Sequence, residues 1–212
     1  MKSRRDFTKA LALVPAAASI TAAAQPANGD GGLKVLRYAF RVAESGFDPA
    51  QVQDFYSSNI IANIFDPPLT YDFVARPAKV IPNTAVAMPE ISADFTEFTV
   101  RVRPGIYFQE HAAFKGKRRE LVAQDYVYSV KRHYDPKFKS PRIYLLENAK
   151  LLGLPEIRAA TLKGAKFDYD REVEGVRALD RYTFRIKLAE PGPRFYYNLA
   201  DTWLGAVARE VD

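Results

Sequence analysis

Residues 182–188 alternate strictly. Tyr182, Phe184, Ile186 and Leu188 are apolar, and Arg181, Thr183, Arg185 and Lys187 stand between them. Successive strand side chains point to opposite faces, so this pattern predicts a strand with one buried and one wet face. A second stretch behaves alike. Phe98, Val100 and Val102 alternate with Thr99, Arg101 and Arg103. Pro104-Gly105 then turns the chain, and Ile106 and Phe108 keep the period, which predicts a hairpin.

Other segments change period. Val122, Tyr126, Val127, Val130 and Tyr134 share one helical face, stopped by Asp135-Pro136. Phe55, Tyr56, Ile60, Ile61, Ile64 and Phe65 predict an earlier helix ended by Asp66-Pro67-Pro68. Pro155 opens a short helix to Leu162, closed by Gly164. A last helix carries Phe195, Tyr196 and Leu199. Residues 33–40 predict a first strand through Leu33, Val35 and Leu36, broken by Ser-Gly and Asp-Pro in residues 43–49. The chain is thus mixed α/β, without the strand–helix alternation of a doubly wound fold.

Composition narrows the chemistry. The 212 residues are 48% hydrophobic and 13% aromatic, which is globular. They include no cysteine, which excludes a disulfide framework, a thiolate metal site and a cysteine nucleophile. His111 and His133 lie too far apart for a local metal motif, and no cofactor, metal or catalytic residue is expected. The net charge of +6 is uneven. Residues 113–142 hold nine basic side chains against three acids. They read as a surface for docking to a membrane permease or an anionic surface, or as a solvated helix face with its loops. Nucleic-acid binding is not expected, since no such motif is present.

The start of the chain reads as an address. Residues 1–9 are short and basic, with Arg4-Arg5 followed by Phe7 and Lys9. Residues 10–24 are small, apolar and uncharged, ending in Ala22-Ala23-Ala24. This predicts an export signal over 1–24, twin-arginine-like and cleaved near Ala24, with a linker over 25–32. Thr8 stands where the twin-arginine pattern has leucine, so the general secretion route stays open. With no cysteine for a lipid anchor, the expected location is the periplasm.

The order of motifs then resembles a family, the family 5 extracellular solute-binding proteins of ABC importers. The resemblance rests on Gly46-Phe47-Asp48-Pro49, on residues 63–69, and on the stretch 98–108. It continues through Ala123-x-Asp125-x-Val127-x-Ser129 and Leu179-Asp180-x-x-Thr183-Phe184. Glu110-His111, an insertion over 112–120, and Val122 at the helix cap depart from the family pattern.

The resemblance implies a type II periplasmic-binding-protein fold, incomplete in these residues. Residues 33–50 would begin lobe I, 51–170 would be a small inserted α+β domain, and 171–212 would return into lobe I. The second lobe would be absent. It implies a monomer that captures a peptide-like solute and delivers it to an inner-membrane ABC permease, without covalent chemistry. Nickel complexes, opines and some sugars are alternative solutes. An exported enzyme and a truncated, inactive fragment are the alternative functions; no GxSxG elbow favours the enzyme.

The family grips a peptide backbone as an added strand. The resemblance places Ala43, Glu44, Ser45, Gly46 and Phe47 at the cleft, where an ordinary turn is the alternative. Gly46 admits close backbone approach, and Ser45 both donates and accepts. Trp203 would face the cleft or fill the core. Glu110-His111 reads as acid–base chemistry or a loop, and the loop is preferred for want of a third partner. Asp168, Asp170, Glu172 and Glu174 alternate like calcium ligands but lack EF-hand spacing, and so read as a solvated loop.

Overall fold

The computed structural model describes residues 34–212. The expected export signal, the linker and Leu33 lie outside the described residues. Residues 40–212 form one compact unit; residues 34–39 are not part of it and carry no helix or strand. The strand expected over 33–40 is therefore corrected for its described part. Apolar residues alone do not make a strand, which needs a neighbour for its backbone groups.

The unit is built on a four-stranded antiparallel sheet. Its strands are β3 (Glu90–Ile91), β4 (Glu97–Arg101), β5 (Val176–Ala178) and β6 (Thr183–Lys187), in spatial order β3-β4-β6-β5. Phe98 pairs with Ile186 and Val100 with Phe184, all at most 1% exposed. The strict alternation of β4 and β6 thus puts both apolar rows on one face. The expected hairpin does not form. After Arg101 the chain leaves the sheet, and Tyr107 instead bridges Glu120. Non-consecutive β6 takes the place beside β4, so strands from either side of residues 170/171 share one sheet.

Helix α2 (Ala123–Tyr134) packs on the buried face of this sheet, with Tyr126 stacked on Phe184 at 5.3 Å between ring centres. Its start lacks a side-chain cap at Val122, but the Asp125 carboxylate accepts the Val122 N–H at 2.8 Å. That satisfies one of the first-turn donors. Asp135-Pro136 ends it as expected. The far side of α2 is buried too. Lys131 and Arg132 are 3% and 4% exposed. A wholly solvated basic face over 113–142 is therefore corrected.

Helix α1 (Phe55–Ile61) stops earlier than the prolines require. A two-stranded sheet follows, β1 (Leu69–Tyr71) with β2 (Val80–Pro82). Helix α3 (Ile143–Ala149) precedes helix α4 (Leu154–Leu162), which packs on α2; α4 has Pro155 in its first turn, and Gly164 follows at φ +103°. The expected last helix is a 3-10 turn, Phe195–Ala200. No described helix is long and apolar enough to cross a membrane.

Candidate functional site

Loop 43–47 is held by the start of α1. Asp54 caps that helix by accepting the Ser57 N–H at 2.8 Å. The Ser45 hydroxyl donates to Asp54 at 2.5 Å, and the Ser45 N–H donates to Ser57 Oγ at 2.9 Å. The Ser45 and Ser57 bonds hold the Asp54 carboxyl down at about 2. Asp48, just after the loop, pairs through both oxygens with the Arg132 guanidinium at 2.9 Å. The loop is thus fixed at both ends. Ala43, Glu44 and Ser45 are exposed, Gly46 is half-buried, and Phe47 is 48% exposed.

Past α1 the chain enters the wall of a groove of about 680 Å³. Four stretches line it: residues 63–66, residues 106–111, Phe114 with Leu121, and residues 206–208 with Val211. Its surface is mostly apolar, as ligand sites are. The 63–66 wall is pinned from behind. The Tyr126 hydroxyl donates to the Asp66 carbonyl at 3.0 Å, and Asn83 Nδ2 donates to the Asp66 carboxylate at 3.2 Å. The Ala206 N–H reaches the Asp66 carbonyl at 3.4 Å. Gly205 permits this approach, because a Cβ there would lie 2.6 Å from Phe65 Cβ.

The 106–108 wall carries an open backbone edge. The Phe108 N–H donates to the Arg119 carbonyl at 2.9 Å, and the Leu121 N–H to the Ile106 carbonyl at 2.8 Å. In an antiparallel pair of this kind, the central residue's own N–H and C=O point away from the partner. Tyr107 is that residue. Its N–H and C=O make no backbone hydrogen bond among the described residues.

The other candidates fall elsewhere. Trp203 is 1% exposed, packed edge-on against His133 with ring centres 5.0 Å apart. Its indole fills the core, one of the two placements the sequence left open. His133 is wholly enclosed. A carbonyl only accepts, so His133 Nε2 carries the proton toward the Trp203 carbonyl at 2.9 Å, and Nδ1 faces the Ser140 hydroxyl at 2.7 Å. Burial pushes its pKa down to about 4. Glu110 and His111 do line the groove. Nδ1 of His111 accepts the Ala113 N–H at 3.2 Å and caps a short 3-10 turn. Asp168 caps Asp170 and Arg171 within its own loop, while Asp170 pairs with Arg209. No group of three potential ligands is placed to hold a metal among the described residues.

The groove itself was not legible beforehand. Its four stretches are far apart in sequence. In the sequence, residues 63–69 and 98–108 read as family motifs and Glu110-His111 as a loop, not as walls of one site.

Comparison with known proteins places these features in a family. The profile described as bacterial extracellular solute-binding proteins, family 5 middle, matches residues 79–210. The periplasmic oligopeptide-binding protein OppA of Escherichia coli (strain K12) is 30% identical over 149 residues, which is 70% of this chain and 24% of that protein. Di/tripeptide-binding protein 2 of Pseudomonas aeruginosa (strain UCBPP-PA14) is 28% identical over 200 residues, 94% of this chain and 33% of that protein. Haemophilus influenzae OppA, solved in complex with the peptide RPPGFSPFR, matches with a TM-score of 0.62 at 23% identity. That match covers 78% of this chain and 29% of the solved chain. The chain therefore spans between a quarter and a third of the length of these relatives, and its fold is part of a type II periplasmic peptide-binding protein.

Proposed function

The chain belongs to the family 5 bacterial extracellular solute-binding proteins, and we propose that it captures a peptide-like solute for delivery to an inner-membrane ABC permease. The observation that carries this reading is the open edge of Tyr107 in the wall of an apolar groove. A peptide laid beside Tyr107 pairs its backbone with that N–H and C=O. Its side chains then meet apolar walls that impose little sequence preference. The work is reversible binding, without covalent chemistry.

In this reading loop 43–47 offers the solute its exposed backbone and the Phe47 ring. The Ser45 hydroxyl and N–H are already committed to Asp54 and Ser57. Trp203 acts from the core, behind the chain that leads to the 206–208 wall. Residues 1–24 serve as the export leader, with the twin-arginine-like pair Arg4-Arg5, and the protein works in the periplasm as a monomer.

Calorimetry of the chain against short-peptide mixtures, with mass spectrometry of the recovered solute, tests this. Intact peptide should bind and come off unchanged; cleaved peptide, or no bound peptide, sinks the reading. Tyr107→Pro removes the open N–H while sparing both bonds to residues 119 and 121. It should weaken binding by about tenfold, the worth of about 1.4 kcal/mol, whereas Tyr107→Phe should not.

A further inference from the structure

The rim of the groove carries a cation with no acid to pair with. Arg118 is exposed on the loop 115–119, and its guanidinium lies 3.9 Å from the centre of the Tyr107 ring. Stacking on a tyrosine face holds a guanidinium flat and leaves its in-plane N–H groups free.

The nearby carboxylates are committed elsewhere. Glu120 accepts from Arg181 at 2.8 Å, from the Tyr182 hydroxyl at 3.0 Å and from the Gly105 N–H at 2.8 Å. Asp125 and Glu210 both pair with Arg119, at 2.6 and 2.8 Å. Among the described residues no ion pair involves Arg118, Lys115 or Lys117. The groove lining holds two carboxylates of its own, Asp66 and Glu110, and Asp66 already takes the Asn83 amide. Arg118 lies over the ring of Tyr107, the residue that carries the open backbone edge, and makes no ion pair of its own among the described residues.

We propose that Arg118 is a specificity-determining residue that selects peptides presenting a carboxylate beside Tyr107. This rests on the peptide-groove reading and names the charge class of its solute. A planar guanidinium takes a carboxylate through two parallel N–H bonds, which a lysine or an amide cannot match. The carboxylate comes either from an acidic side chain or from the peptide's C-terminus.

Calorimetry at low salt with three peptides separates these sources: Ala-Glu-Ala, Ala-Gln-Ala, and Ala-Gln-Ala with an amidated C-terminus. A side-chain preference makes the first bind about tenfold tighter than the second; a terminal preference makes the second bind about tenfold tighter than the third. Arg118→Gln should bring the preferred ratio close to one, and Arg118→Lys should leave it intermediate. Lys163→Gln, on the exposed end of α4, should keep it. Equal affinities in both arms, or a preference that survives Arg118→Gln, overturn the proposal while the groove reading stands. Failure of all three peptides to bind overturns both.

Discussion

Arg132 sits at the end of α2 with a side chain 4% exposed. It holds Asp48 through two bonds at 2.9 Å and Asp212 through Nη2 at 2.8 Å, and it lies 4.2 Å from the centre of the Phe138 ring. The Tyr128 hydroxyl adds a short bond to Asp212. A buried pair of this kind adds little net stability over an apolar replacement, but breaking one partner leaves the other charge stranded. Arg132→Met should therefore cost about 3 kcal/mol, read as a lowered urea midpoint at pH 7. Asp48→Asn should cost less, because Arg132 keeps Asp212. None of this was legible in the sequence. Arg132 stood in a basic run and read as solvated. Its partner Asp48 lies 84 residues away, and the spacing of charges along a chain says nothing about such a contact.

At the scale of elements, legibility followed length and strictness of pattern. β6 and α2 were readable because their periods run for several residues and their stops are chemical. The remaining strands β1, β2, β3 and β5 have only two or three residues each, too few for any period to show. The hairpin failed for another reason. Alternation identifies a strand's buried face but not its neighbour, and β4 found β6 rather than the residues after Pro104-Gly105. Gly175 shows how tightly the β5 end is built. Its N–H donates to the Leu152 carbonyl at 2.8 Å and its carbonyl accepts from Lys187 at 3.0 Å. A Cβ there would lie 2.3 Å from the Leu152 carbonyl oxygen and 2.5 Å from its nitrogen. Both are backbone atoms and cannot swing aside. Gly175→Ala should cost about 2 kcal/mol, or about 5 °C in Tm, by differential scanning calorimetry.

For the whole molecule, the buried and capping groups set the response to acid. His133 has a folded pKa of about 4 against 6.5 for a free histidine, because burial penalises the imidazolium. Between those values the unfolded chain binds a proton that the folded chain refuses. Stability is then fully present above pH 6.5 and falls as the pH drops toward 4. The span corresponds to about 3 kcal/mol. Arg132 and Arg142 lie near enough to oppose the charge further, and Asp48 only partly offsets them. Asp54 and Glu120 are each held at about 2, by hydrogen bonds from Ser45 and Ser57 and from Arg181 and the Gly105 N–H. Depressed carboxylates also lose their contribution as the pH falls, from their ordinary pKa of 3.8 and 4.5 down toward 2, so the two effects occupy different windows. Asp125 runs the other way, its carboxyl raised by burial against the pull of Arg119 and the Val122 N–H. Urea midpoints should therefore fall steadily from pH 7 to pH 5, and His133→Gln, destabilised at pH 7, should show a flatter slope across that window. An unchanged slope in the variant would show that His133 is not the source of the acid response.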